Sequence, residues 1–165
     1  MNKIQMGKRC WCWLLLSLAV VIADQLSKAY VVRHLGEFEV RSVLPVLDVT
    51  LMHNTGAAFS FLASASGWQR WFFIVLAGGV CIALAIWLCR RRVEARRLLA
   101  LALSLVLGGA LGNVIDRIRL GSVVDFIHFH WHLAYFPAFN IADSAITVGA
   151  GCLLLDALLD SRRKS

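Results

Sequence analysis

Long apolar runs, each cut short by a polar or basic segment, divide the chain. Four of them, at about 11–32, 68–89, 98–120 and 140–159, have the roughly 20 residues that a helix needs to cross a bilayer. The stretch after the first run has a different pattern. Across 38–52, β-branched and apolar residues (Val40, Val43, Val46, Val49, Thr50) are interrupted by Pro45, which predicts two or three short strands. Asn54-Thr55-Gly56 closes them with a turn signal. The pattern predicts an all-α membrane protein of four transmembrane helices, with a small extracytoplasmic β-sheet within about 36–63. An extracytoplasmic loop at 121–139 joins the last two spans, and one membrane-embedded domain covers 1–165.

Composition agrees with that picture. Of 165 residues 59% are hydrophobic and only 16% charged, too apolar for an ordinary soluble domain. Lys3, Lys8 and Arg9 precede the first run, and Arg90, Arg91, Arg92, Arg96 and Arg97 fill the turn between the second and third. Arg162, Arg163 and Lys164 follow the fourth. Basic residues gather on the cytoplasmic side of membrane proteins, so both termini are expected there. The net charge of +7 then reads as topology and contact with anionic phospholipid, and a nucleic-acid partner is not expected. A cleavable secretory signal ending near Ala23 is the alternative for the first run. The apolar pattern resumes through Ala29, Tyr30, Val31 and Val32, however, and removal would leave cytoplasmic arginines facing out.

The five cysteines, Cys10, Cys12, Cys81, Cys89 and Cys152, sit in or beside the apolar runs near their cytoplasmic ends and read as small buried hydrophobes, not a disulfide framework. His128, His130 and His132 alternate, as a zinc triad on a strand would, but interleaved with Phe129 and Trp131 they read more simply as a polar edge at the membrane interface. No metal and no cofactor is expected.

Candidate chemistry lies elsewhere. At 1.5 Å per residue, Asp24 falls about 20 Å beyond the start of the first run and Lys28 about 26 Å, while Asn113 and Asp116 fall about 22 and 27 Å beyond the start of the third. Asn140 and Asp143 open the inward-running fourth run at the same level, and Asp125 follows the third. One polar layer near the outer face therefore collects residues from several spans, where charges are costly unless they function. Structural readings exist for most of them: an i,i+4 ion pair for Asp24 and Lys28, and a helix cap for Asn140 with Asp143. Asp116 and Arg117 can pair with each other or with neighbouring spans, and Gly108 and Gly112 form a small-xxx-small packing pattern. Asp125 and Asp143 read as two uncapped carboxylates at one depth, which should repel unless they share a proton.

The segment Val106 to Arg117 (VLGGALGNVIDR), followed by Val123-Val124-Asp125-Phe126 and Phe139-Asn140-Ile141-Ala142-Asp143-Ser144, resembles the lipoprotein signal peptidase (signal peptidase II) family of bacteria. Asp24-Gln25-Leu26-Ser27-Lys28 and Asn54-Thr55-Gly56-Ala57-Ala58-Phe59 match two earlier motifs of that family, so the likeness runs along essentially the whole chain. It implies an inner-membrane aspartyl endopeptidase that removes signal peptides from prolipoproteins just before a diacylglyceryl-modified cysteine; a monomer is expected, although the sequence leaves the oligomeric state open. The same resemblance implies a catalytic dyad of Asp125 and Asp143. Asn54, Gly56, Asn113, Arg117 and Asn140 would line the site or hold the substrate backbone, with Asp24, Lys28 and Asp116 in support, under a β cradle from 38 to 63. Two carboxylates sharing a proton supply both the base and the acid that amide hydrolysis needs. Two rivals remain: a proton-coupled transporter with a relay of Asp24, Asp116 and Asp143, and a noncatalytic lipid-binding subunit. The absence of internal repeats and the off-centre polar layer weigh against the transporter.

Overall fold

The computed structural model describes residues 10–56, 68–90, 93, 95–132 and 134–164. Lys3, Lys8, Arg9, Arg91 and Arg92, and residues 57–63 of the expected cradle, lie outside the described residues. Among the described residues, four helices are long and apolar enough to span a membrane: α1 (Cys10–His34), α2 (Trp68–Leu88), α3 (Arg97–Leu120) and α4 (Ile141–Lys164). More than half of the apolar window of α3 (56%) is buried, against 11–17% for the others, so α3 is the central column and the other three turn most of their surface outward.

Small residues let the helices close on α3. A methyl group added at Gly108 would stand 2.7 Å from the Ser17 carbonyl oxygen of α1, and one at Gly112 would stand 2.6 Å from Asp24 Oδ2. The small-xxx-small pattern is thus the α1–α3 seam, where Ser17 Oγ also donates to the Ser104 carbonyl at 2.9 Å.

Four antiparallel strands lie at one end of the bundle in the order β1 (Val40–Leu44), β2 (Leu47–Asn54), β3 (Val123–Trp131) and β4 (Ala134–Tyr135). Pro45 falls in the β1–β2 turn, where its missing N–H costs no ladder bond. The stretch expected to be a loop is largely β3, a nine-residue strand on the 40–54 hairpin with Asn54 opposite Val123 and Met52 opposite Asp125. Its first four residues are buried, so they read as a short apolar run and hide the period-2 signal of a half-exposed strand.

One further expectation needs correction. Cys10 and Cys89 form a disulfide, with Cα atoms 4.9 Å apart, because the start of α1 meets the chain just beyond α2; of the remaining thiols only Cys81 is buried, and Cys12 is exposed. The histidine alternation breaks at His132, which leaves the strand with φ of 52°. His128 and His130 pack on the Tyr135 ring, and His130 Nε2 lies 3.4 Å from Asp48 Oδ2.

Candidate active site

The start of α4 organises the site. A helix leaves its first N–H groups without partners, and Asn140, just before α4, accepts the Asp143 N–H on Oδ1 at 2.9 Å. Asp143 Oδ2 reciprocates by accepting the Asn140 N–H at 3.3 Å, a capping box with aspartate in the third position. The cap reading of this pair is therefore correct but incomplete. Asn140 Nδ2, free of the cap, donates to Asp125 Oδ1 at 2.7 Å and faces the Val124 carbonyl at 3.2 Å. One fully buried asparagine thus connects both carboxylates.

Neither carboxylate is uncapped, contrary to the expectation from sequence. Asp125, 5% exposed on β3, also accepts Asn54 Nδ2 at 3.2 Å on its other oxygen. Asp143 Oδ1 accepts Asn113 Nδ2 at 2.8 Å. Burial, and then the charge of Asp143, push the Asp125 carboxyl up to about 6, while the hydrogen bonds from Asn54 and Asn140 and the charge of Lys28 oppose the rise. Both carboxylates line one cavity of about 690 Å³, together with Asn54, Asn113, Arg117 and the apolar 136–139 segment.

Asp116 and Arg117 do not pair with each other. Successive helical residues point about 100° apart, and these two face different neighbours. Arg117 donates to the Gly56 carbonyl at 3.0 Å and stacks over Phe73 of α2, 5.1 Å from its centroid. The Gly56 N–H in turn donates to Asn54 Oδ1 at 3.0 Å, so the 54–56 turn is tied to both Asp125 and Arg117. Asp116 points the other way, to Lys28 Nζ at 2.8 Å, and Asp24 completes a buried cluster at 2.8 Å from the same ammonium. Asp24 Oδ1 accepts the Ala142 N–H at 2.9 Å and Asp116 Oδ2 the Val124 N–H at 3.3 Å, which joins α1 and α3 to the first turn of α4 and the start of β3. The i,i+4 pair is real, and it also holds the backbone beneath Asp125 and Asp143.

The structure brings Asp24, Lys28, Asn54, Gly56, Asn113, Asp116, Arg117, Asp125, Asn140 and Asp143 into this one network. Sequence reasoning gave no role to Gln25, whose Nε2 donates to Asp116 Oδ1 at 2.8 Å, although it lies inside the quoted Asp24–Lys28 motif. It also passed over Phe73, and Arg70, which donates to the Ile118 carbonyl at 2.7 Å near the end of α3. The neighbouring Trp68 and Trp71 are the only local sign of that corner.

A family model described as signal peptidase (SPase) II matches residues 16–159. The chain is similar to a lipoprotein signal peptidase of Pseudomonas fluorescens, 55% identical over 152 residues that cover 91% of this chain and 88% of the relative. It is 50% identical over 149 residues to one from Shewanella pealeana, covering 90% and 86%. A bacterial membrane enzyme solved by the in meso method at 2.3 Å superposes with a TM-score of 0.83 at 32% identity, covering 99% of this chain and 97% of that one. The chain belongs to the signal peptidase II family, the lipoprotein signal peptidases, and is a bacterial membrane protease.

Proposed function

We propose that the protein cleaves signal peptides from diacylglyceryl-modified prolipoproteins just before the lipidated cysteine, and that Asp125 and Asp143 are an aspartyl dyad. The observation that carries this reading is the Asn140 bridge, which donates to Asp125 and caps the helix that bears Asp143 while both carboxylates face one cavity. Asp143 is the base. It takes a proton from a water molecule, whose oxygen adds to the scissile carbonyl carbon. Asp125 is the acid: it gives its proton to the leaving nitrogen as the C–N bond breaks, and the dyad exchanges its protons with solvent before the next turn. The elevated Asp125 carboxyl suits the acid role, and the N-terminus of α4 suits a negative Asp143.

Arg117, with Asn54, steadies the backbone carbonyls of the peptide, and the apolar outer surfaces of the helices admit the diacyl chains sideways from the bilayer. The distribution of lysine and arginine supports an orientation with both termini in the cytoplasm and the cavity near the outer face of the inner membrane. A reporter fused after Ser165 that proves active only outside would reverse that orientation. The enzyme works as a monomer, one membrane-embedded unit over 1–165. The decisive experiment incubates purified protein with lipidated and unlipidated prolipoprotein and follows mass. Cleavage of the lipidated form alone supports the reading, and no cleavage of either overturns it.

A further inference from the structure

Lys28 lines no part of the cavity, yet its hydrogen bonds reach the dyad in two steps. Its ammonium has three protons and three acceptors: Asp24 Oδ2 and Asp116 Oδ2 at 2.8 Å each and Asn113 Oδ1 at 3.0 Å. The third contact decides how the Asn113 amide is turned. With Oδ1 held by Lys28 and also facing Asn140 Nδ2 at 3.3 Å, only Nδ2 remains for Asp143, to which it donates at 2.8 Å. A flipped amide would set an NH2 group against an ammonium and a second NH2, three donors without an acceptor among them, in a buried site where unmet polar groups are costly.

We infer that Lys28 is a positioning residue that locks Asn113 as a donor to Asp143 and thereby favours the ionised form of Asp143 within the dyad. A donor at Asp143 Oδ1 suits a carboxylate. A free amide could turn and offer Oδ1 instead, accepting an O–H from Asp143 and letting the proton cross to the wrong side of the dyad. The inference rests on the aspartyl reading and deepens it, because it names what fixes the direction of proton flow. Lys28 acts without touching substrate.

The test uses the full-length protein in detergent with a lipidated prolipoprotein. Asp24→Asn keeps the Lys28–Asn113 contact and loses one ion pair, so it is the reference for whatever the ion cluster contributes apart from that contact. Lys28→Met combined with Asp24→Asn removes a cation and an anion together, leaving the net charge unchanged while releasing Asn113. Its kcat should lie at least about tenfold below that of Asp24→Asn, with KM within about twofold, because general acid–base steps are worth at least that much. In the infrared, the carboxylic-acid band of the dyad should vanish with Asp125→Asn in the natural chain. In the Lys28→Met, Asp24→Asn background part of it should survive that substitution. Equal kcat in the single and double variants, or a loss confined to KM, overturns the lock. If the double variant does not fold, Asn113→Leu keeps both ion pairs of Lys28, at the cost of its third acceptor, and removes the donor to Asp143; full kcat there overturns the inference equally. Normal cleavage by Asp125→Asn in the natural chain would instead refute the dyad itself.

Discussion

Replacing Asp125 by asparagine separates chemistry from architecture. Both carboxylate oxygens accept hydrogen bonds, Oδ1 from Asn140 Nδ2 at 2.7 Å and Oδ2 from Asn54 Nδ2 at 3.2 Å. An asparagine there has one acceptor oxygen and must turn its NH2 toward one of the two donors. The longer Asn54 contact is the one to give way, since Asn54 sits at the end of β2 whereas Asn140 is fully buried. One poorly met donor at a buried site costs about 1–3 kcal/mol, so the variant should melt earlier yet fold. Catalysis suffers far more. Loss of the acid removes about 10²- to 10⁴-fold, and a pair that acts as one unit loses nearly all its rate when either half goes. Cleavage of a lipidated prolipoprotein should fall below detection by mass spectrometry while the variant still captures that substrate, with circular dichroism melts reporting the small loss of stability. Near-normal turnover in the folded variant would refute the aspartyl mechanism.

Asp143→Asn should be equally inactive and also folded, although it weakens the cap of α4; cleavage at even a tenth of the normal rate would contradict a joint role. The pH dependence follows from the raised Asp125 carboxyl. Its folded value of about 6 lies above the ordinary 3.8, so the acid form is present below about pH 6 and lost as pH rises through it. A plot of kcat/KM should therefore decline above about pH 6, and a profile that climbs across that range would assign the proton elsewhere. Strong chelators should leave activity intact, because among the described residues no three His, Cys, Asp or Glu side chains are placed to hold a metal ion; loss restored by added metal would overturn this. Gly112→Ala should push a methyl group toward Asp24 Oδ2, 2.6 Å away, and disturb the α1–α3 seam. A destabilisation of about 1–3 kcal/mol is expected in thermal melts, and an unchanged melt would mean the seam can open freely.

The parts of the fold that are local in sequence were legible. The four spans follow from apolar length, the short strands from β-branched residues around Pro45, and close helix packing from the spacing of Gly108 and Gly112. Asn140 and Asp143 signal a cap because both ends of the capping box lie within four residues. What sequence concealed depends on distant partners. Asp116 and Arg117 are adjacent, so pairing between them looks natural, yet their directions are set by Lys28, 88 positions before Asp116, and by Gly56 and Phe73. The strand that carries Asp125 exists because the 40–54 hairpin is there to receive it. Likewise Cys10 and Cys89 lie 79 positions apart, and nothing in either neighbourhood announces their meeting.

The placement of Asn140 and Asp143 at the head of α4 also bears on biosynthesis. A ribosome delivers the other three helices, the hairpin and Asp125 first. On the dyad reading, a nascent chain stalled after β3 holds an acid without its base, and lacks the amide that would bring the two together. Insertion of the fourth helix then completes the catalytic centre and the bundle in the same act. On the same reading, a half-built protease in the membrane would be inert toward the lipoproteins passing beside it.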